Sequence, residues 1–408
     1  LLATCPFTSE DFMNQIIQSL RRASIDWRMV LMATVLVVIA ITFNAMSNGI
    51  FLSPENLYNV AQQTAVVGIL ATVMVLIIVA RNIDLSVGSV LGFIGVLIAT
   101  LMYSYNWSWS TAALAGLAAA IAVAMYQGYL TAVIGVPSFV VTLGGLMSFR
   151  GAAFLVADGR TQPITNEFFL RLGGGYEGAI GTTASWVLGA LMCAALVAWK
   201  ASQRRARQAY GVPTNALWLD CLMTAVPLVI VISFVAAMNA YHIPNKAAPQ
   251  GIPIPVLIWI AVALFVSFLV HRTRFGRYVF AMGGNPDAAA LVGIPVRRVM
   301  LLLFCLLALL TTIAAIVSIA RLNAGTNSLG TNMELLVIAA TVIGGTALAG
   351  GSGSILGSVL GALIMQSIDS GMLLLDVPIG WRYVIIGQVL IAAVVFDVVY
   401  RKWTGEMQ

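Results

Sequence analysis

Few side chains in this 408-residue chain could do chemistry, and their spacing excludes the common kinds. His242 and His271 are the two histidines, far apart, so no His-rich metal site or proton relay can form. The lysines are Lys200, Lys246 and Lys402, followed by Ala, Ala and Trp. A phosphate-cradling loop of the Walker A kind needs Gly-Lys and then Ser or Thr. The glycine-rich run Gly344-Gly345-Thr346-Ala347-Leu348-Ala349-Gly350-Gly351-Ser352-Gly353-Ser354 therefore does not hold a nucleotide in that way, and close packing of helices through small residues explains it better. Cys5, Cys193, Cys221 and Cys305 lack metal-ligand spacing, and three of them sit in apolar runs as small hydrophobes. An intramembrane enzyme would need paired Asp, Ser with Lys, or His with Glu in those runs, and none is present. No cofactor and no metal are expected.

What remains is polar chemistry of a different kind. Arg150, Glu334, Asp369 and Asp397 fall within or near apolar runs, where ionisable groups are costly and tend to be functional. Glu334 and Asp397 lie near run ends and Asp369 toward the outer end of its helix, so an interfacial position suits all three. Arg150 lies about twelve residues into its run and either snorkels outward or pairs across helices. Asn56, Asn59, Gln62, Gln63 and Thr64 form a polar start to the second run, suited to hydrogen-bonding a neutral hydroxylated solute or a neighbouring helix. In Arg81-Asn82-Ile83-Asp84-Leu85-Ser86-Val87-Gly88, Asp84 and Ser86 precede an apolar run and either cap a helix or line a path. Candidates for a solute path are thus Asn59, Gln62, Gln63, Asp84, Ser86, Gly88, Arg150 and Gly345.

The elements that must position these residues are membrane helices. Hydrophobic residues make up 60% of the chain and charged ones 9%, against about 25% charged in soluble domains. Leu31–Phe43, Val66–Ala80 and Met300–Ala320 carry no charge and, with their flanks, reach the length needed to cross a bilayer. The alternation of a membrane β-barrel is absent. The expected fold is an all-α polytopic membrane protein with about twelve spans, at 29–50, 59–80, 84–103, 110–133, 138–157, 183–199, 214–238, 254–271, 299–320, 332–349, 353–374 and 381–400. Arg and Lys gather on one side of that arrangement, at 21–28, 81, 200–207, 272–277, 297–298 and 401–402. Arg160, Arg171, Lys246 and Arg321 fall on the other. The positive-inside rule then places both termini in the cytoplasm. The net charge of +6 reports topology, not nucleic-acid binding. Residues 1–28 form an N-terminal cytoplasmic or interfacial segment, with one apolar face over Glu10–Arg22, and 403–408 a short tail. No cleavable signal peptide is read at the N-terminal end.

Two features break the monotony of spans. A shift of 269 positions aligns 69–92 with 338–361 at ten identities, among them Ala71-Thr72-Val73 with Ala340-Thr341-Val342 and Gly88–Gly92 with Gly357–Gly361. Each copy reads as span, polar or glycine break, span, with both copies running the same way. Such breaks are tolerated at membrane depth only where protein or a wet cavity covers the freed backbone groups, and paired broken helices point to a transport path. The second feature is His271–Val299, the longest strongly basic stretch, rich in small residues between two apolar runs. It reads as a short amphipathic helix from about Pro286 to Gly293, flanked by Arg277 and Arg297 and small enough to dock in a partner's groove.

Four motifs occur in one order: Ile83-Asp84-Leu85-Ser86-Val87-Gly88-Ser89; Pro137-Ser138-Phe139-Val140-Val141-Thr142-Leu143; Gly283–Ala289 with Gly293-Ile294; and Gly344-Gly345-Thr346 with Leu348–Gly351. Together they resemble the permease subunit of sugar ABC importers, the ribose/xylose/arabinose/galactose group, over residues 30–402. An extra hairpin at 183–240, the Pro137–Leu143 stretch and Asp376-Val377-Pro378 resemble the D-xylose type. Arg81-Asn82, where a small or acidic pair is usual, and Pro286 depart from the family pattern. The resemblance implies an ABC-importer permease fold over 29–402 in a bacterial inner membrane. It also implies a homodimer, a separate ABC ATP-binding subunit, a periplasmic sugar-binding protein and a neutral sugar substrate. The coupling segment at 272–298 would dock on the ATPase through Gly284, Asn285, Ala288, Ala289, Gly293 and Ile294. The alternative, a secondary sugar carrier independent of an ATPase, would need coupling groups inside the spans.

Overall fold

In the computed structural model the described residues are 27–175, 178–211, 217–242 and 249–404. The helix expected over Glu10–Arg22, Lys246 and most of the tail 403–408 lie outside them. The described chain is helical almost throughout. Its helices are α1 (Trp27–Met46), α2 (Pro54–Val79), α3 (Val87–Tyr103), α4 (Trp109–Tyr129, extended by a π turn at Leu130–Ile134), α5 (Ser138–Val156) and the short α6 (Glu167–Arg171). They continue as α7 (Thr182–Ala209), α8 (Leu217–Asn239), α9 (Ile254–Arg272), α10 (Arg274–Gly284), α11 (Pro286–Leu291), α12 (Val296–Leu322), α13 (Met333–Ile343), α14 (Ile355–Leu374) and α15 (Ile379–Thr404).

Ten of these are long and apolar enough to cross a membrane. The expected spans 84–103 and 332–349 appear instead as the shorter helices α3 and α13. Both are shortened at a break where the backbone leaves helical geometry. α3 is shortened at its start, after residues 80–86, and α13 at its end, where the glycine-rich 344–354 follows Ile343.

The chain divides into two compact units. Of the described residues, one holds those up to Leu31 and those within 180–252. Its described helices α7 and α8 form an antiparallel hairpin. Gly189 brings their backbones together, since a Cβ there would stand 2.8 Å from Val235, and Arg204 pairs with Asp220 at 2.5 Å. Ser185 closes the top by accepting from the Ile252 amide at 2.8 Å.

The other unit, Met32–Ala179 and Pro253–Gln408, holds the main core. α2 is its axis. Ser53 caps it, accepting from the Asn56 amide, and Pro54 at the first helical position fits the fixed φ required there. From Val60 to Ala80 every residue but Gln63 is buried, as expected of a helix apolar on all sides. α9, α12, α13 and α14 pack around it, while α3 packs on α4, α5 and α12. A two-residue antiparallel ladder, Gln162–Pro163 (β1) with Ala324–Gly325 (β2), ties the loop after α5 to the end of α12.

α14 runs antiparallel to α2: Gly351 donates to the Val79 carbonyl at one end, Gln366 to Gln63 midway, and Ser370 to Asn56 at the other. α13 is antiparallel to α14 and so parallel to α2, with the Thr341 hydroxyl on the Ala71 carbonyl at 3.4 Å. The first halves of the repeat, 69–79 and 338–343, therefore lie side by side and run in one direction.

Candidate functional site

The first break, 80–86, is held by side chains. Asp84 is 1% exposed. One of its carboxylate oxygens accepts from the Ser86 amide at 2.6 Å and the Ser86 hydroxyl at 2.7 Å. Gln127 of α4 donates to that hydroxyl at 2.9 Å. From α5, Ser138 accepts from the Ile83 amide at 3.2 Å and Thr142 from the Leu85 amide at 3.1 Å. The amides freed at Ile83, Leu85 and Ser86 thus find partners without water, as a break inside an apolar body requires. Ser86, one of the two residues read as caps, makes no capping bond to α3. Its hydroxyl is spent on Asp84, which instead holds the turn from two residues upstream.

Gly88 opens α3 against the turns of 326–332. A Cβ there would collide with the Gly330 carbonyl and the Glu334 carboxylate, and one on Gly330 would collide with the Gly88 carbonyl. Gly330 itself sits at φ 72°. Arg150, read as either snorkelling or pairing across helices, reaches this segment and donates to the Leu329 carbonyl at 2.8 Å. Asp84, Ser86, Gly88, Arg150 and Glu334 are therefore brought into one neighbourhood.

Gly345 is not part of it. It belongs to the second break, 344–354, where Gly345, Gly350 and Gly351 take φ of 96°, 87° and 78°. That break is satisfied by backbone. Ala347 donates to Ser352 and Gly350 to Ala347, both at 2.9 Å. Gly357 and Gly361 let α14 press on the carbonyls of Gly344 and Ala340.

Asn59, Gln62 and Gln63 lie elsewhere again, near the start of α2. From Gln63 to Val79 the helix rises about 24 Å. Asn59 is exposed, Gln62 donates to the Gly174 carbonyl, and Gln63 accepts from Gln366 at 2.7 Å. Of the ionisable groups, Asp369 pairs with Arg382 of α15 at 2.7 Å, and Asp397 is buried. Among the described residues no group of three or more His, Cys, Asp or Glu could hold a metal.

The void beside Asp84 and Gln127 measures only about 10 Å³, room for no more than a water. A crevice of about 690 Å³ lies between α9, α10 and the start of α14, with Trp259, Ala263 and Leu356 on its walls and His271 and Arg277 at one end. None of the candidate path residues lines it.

The basic segment forms α10 and α11 joined at Asn285, whose side chain caps α11 by accepting from the Ala288 amide at 3.0 Å. Gly284, Ala288 and Gly293 are exposed and Ile294 is half-buried. Ala289 differs from the expectation of an outward docking face: at 4% exposure it packs into the protein's own core. Leu291 and Val292, not singled out from sequence, stand 88% and 78% exposed in its place.

Sequence reasoning missed Gln127, Gly330 and the partners on α5. Gln127 is a lone amide in an apolar run, and Ser138 and Thr142 lie within the Pro137–Leu143 motif, so the signals were there. Nothing local marked the turns of 326–332 as the partner of Gly88.

The family model described as the branched-chain amino acid transport system / permease component matches residues 56–394. The xylose transport system permease protein XylH of Haemophilus influenzae is 38% identical over 380 residues, covering 93% of this chain and 98% of that protein. XylH of Escherichia coli K12 is 36% identical over 374 residues, 92% of each chain. The ribose import permease protein RbsC of the same organism is 31% identical over 366 residues, 89% of this chain and 91% of that one. No solved structure matches the chain. With a family match over most of its length, relatives aligned nearly end to end, and ten helices of spanning length, the chain belongs to the multi-pass permease family of sugar ABC importers.

Proposed function

We propose that this chain is the permease subunit of an importer that carries a neutral pentose, D-xylose, inward by alternating access. ATP is hydrolysed in a separate subunit, and a periplasmic protein delivers the sugar. The carrying observation is the near full-length similarity to two xylose permeases, higher than to the ribose permease. α10 and α11 form the docking site for the ATP-binding subunit, supported by a small-residue face with Leu291 and Val292 exposed beside Arg297 and Arg298. This side and both termini face the cytoplasm by the distribution of Arg and Lys. The permease acts as a homodimer.

Reconstitution in proteoliposomes with an ATP-binding subunit and a xylose-binding protein tests this. Labelled D-xylose should accumulate only with ATP and both partners, and Asn285→Arg should abolish sugar-stimulated hydrolysis in a folded, inserted protein. Uptake without the ATP-binding subunit would establish a secondary carrier instead.

A further inference from the structure

Three backbone segments distant in sequence converge at one point: 79–81 at the end of α2, 283–284 at the end of α10, and 350–351 in the second break. Arg81 holds them. Its Nε donates to the Gly283 carbonyl at 2.7 Å and its guanidinium Nη2 to the Gly284 carbonyl at 2.6 Å. Those carbonyls end α10, where acceptors go unsatisfied within the helix and a cation is favoured. The carbonyl of Gly284 is followed directly by Asn285, the cap of α11. On the other side, the Arg81 stem lies against Gly350, and the Gly351 amide donates to the Val79 carbonyl at 2.9 Å. Gly283 admits that carbonyl because a Cβ would overlap it.

The backbone at Arg81 argues that its side chain is there for a purpose. Its φ is 61°, in the left-handed region where glycine is the default residue. In the repeat, position 81 corresponds to position 350, which is glycine at φ 87°. The two equivalent positions take the same handedness and touch each other. The conformation itself is served by glycine in one copy, yet the other copy carries arginine, and the arginine's donors reach the docking segment.

We propose that Arg81 is a positioning residue that ties the docking segment to both broken helices, so that displacement of α11 moves the two breaks together. This rests on the reading of α10–α11 as the docking site for an ATP-binding subunit. The variants Arg81→Gly, which keeps the backbone conformation, and Arg81→Lys, which keeps a donor, test it. In the full-length permease alone, hydrogen exchange of 281–292 and 345–352 should quicken about tenfold in Arg81→Gly, with the core of α2 unchanged. Unchanged exchange at 281–292 overturns the tie whatever partner docks there. In the complete transporter, Arg81→Gly should retain the ATP-binding subunit and basal hydrolysis while stimulation by the sugar-loaded binding protein falls about tenfold, partly restored in Arg81→Lys. Full stimulation in Arg81→Gly overturns the coupling role. Loss of the ATP-binding subunit from both variants overturns it too, making Arg81 a docking residue. A wild type that neither captures that subunit nor is stimulated, with the exchange result intact, faults the functional reading and not the tie.

Discussion

The two copies of the helix–break–helix repeat solve one problem by different chemistry. In the first, α2 continues to Val79, and the short break after it is held by side chains: Asp84, Ser86, Gln127, Ser138 and Thr142. In the second, α13 ends at Ile343, and the glycine-rich break is held mainly by backbone bonds, Ala347 to Ser352 and Gly350 to Ala347, with the Ser354 side chain capping α14. The repeat alignment shows the cause. Gly344, Gly345, Gly350, Gly351 and Gly353 stand where the first copy has Val75, Leu76, Arg81, Asn82 and Asp84. Glycine weakens the helix and admits left-handed backbone, so α13 stops earlier and its break relies less on side-chain partners. One break should therefore be sensitive to loss of polar groups and the other to gain of bulk.

The largest effect expected is from bulk at the second copy. Gly361→Leu drives a side chain into the Ala340 carbonyl and should cost about 3 kcal/mol or more, seen as loss of the monodisperse detergent-solubilised protein. Asp84→Ala comes next. It strands the Ser86 amide and hydroxyl in a buried site, at about 1–3 kcal/mol, read as a lowered apparent melting temperature. Gly350→Ala should cost about 1–2 kcal/mol for its left-handed φ. If Gly350→Ala and Gly353→Ala, the latter at the position equivalent to Asp84, both leave stability unchanged, the second break is not sensitive to bulk and the distinction fails. Gln127→Met removes one donor to Ser86 and should cost about 1 kcal/mol. Asp84→Asn should be mildest, under about 1 kcal/mol, because an amide oxygen can accept both bonds. If Asn behaves like Ala in thermal unfolding, the carboxylate charge and not its hydrogen bonding holds the first break.

Legibility from sequence followed the range of the interaction. The start of a short helix near Pro286 was readable because proline at the first helical position is a local preference. Arg150 was left between two readings because its partner, the Leu329 carbonyl, lies 179 residues away. Ala289 looked like a docking residue because a small side chain in a basic loop reads the same whether it faces out or in; only the packing of α11 shows that it faces in. The spans 84–103 and 332–349 were drawn too long because hydropathy sums side chains and does not register where the backbone leaves the helix.

By itself the sequence determined that this is an all-α membrane protein, since hydrophobic runs of bilayer length without alternation leave helices as the way to satisfy the backbone, and its four motifs carried the resemblance to sugar permeases. It also determined where the repeat lies, because repetition is a property of the letters. Only the tertiary structure decided that the first halves of the repeat run side by side, that Arg81 and Gly350 meet, and that α10 is fastened to both. Those are contacts between segments about 70 to 270 residues apart. No local preference encodes them, because they arise only when α14 lies antiparallel on α2 and carries the second break back to the end of the first.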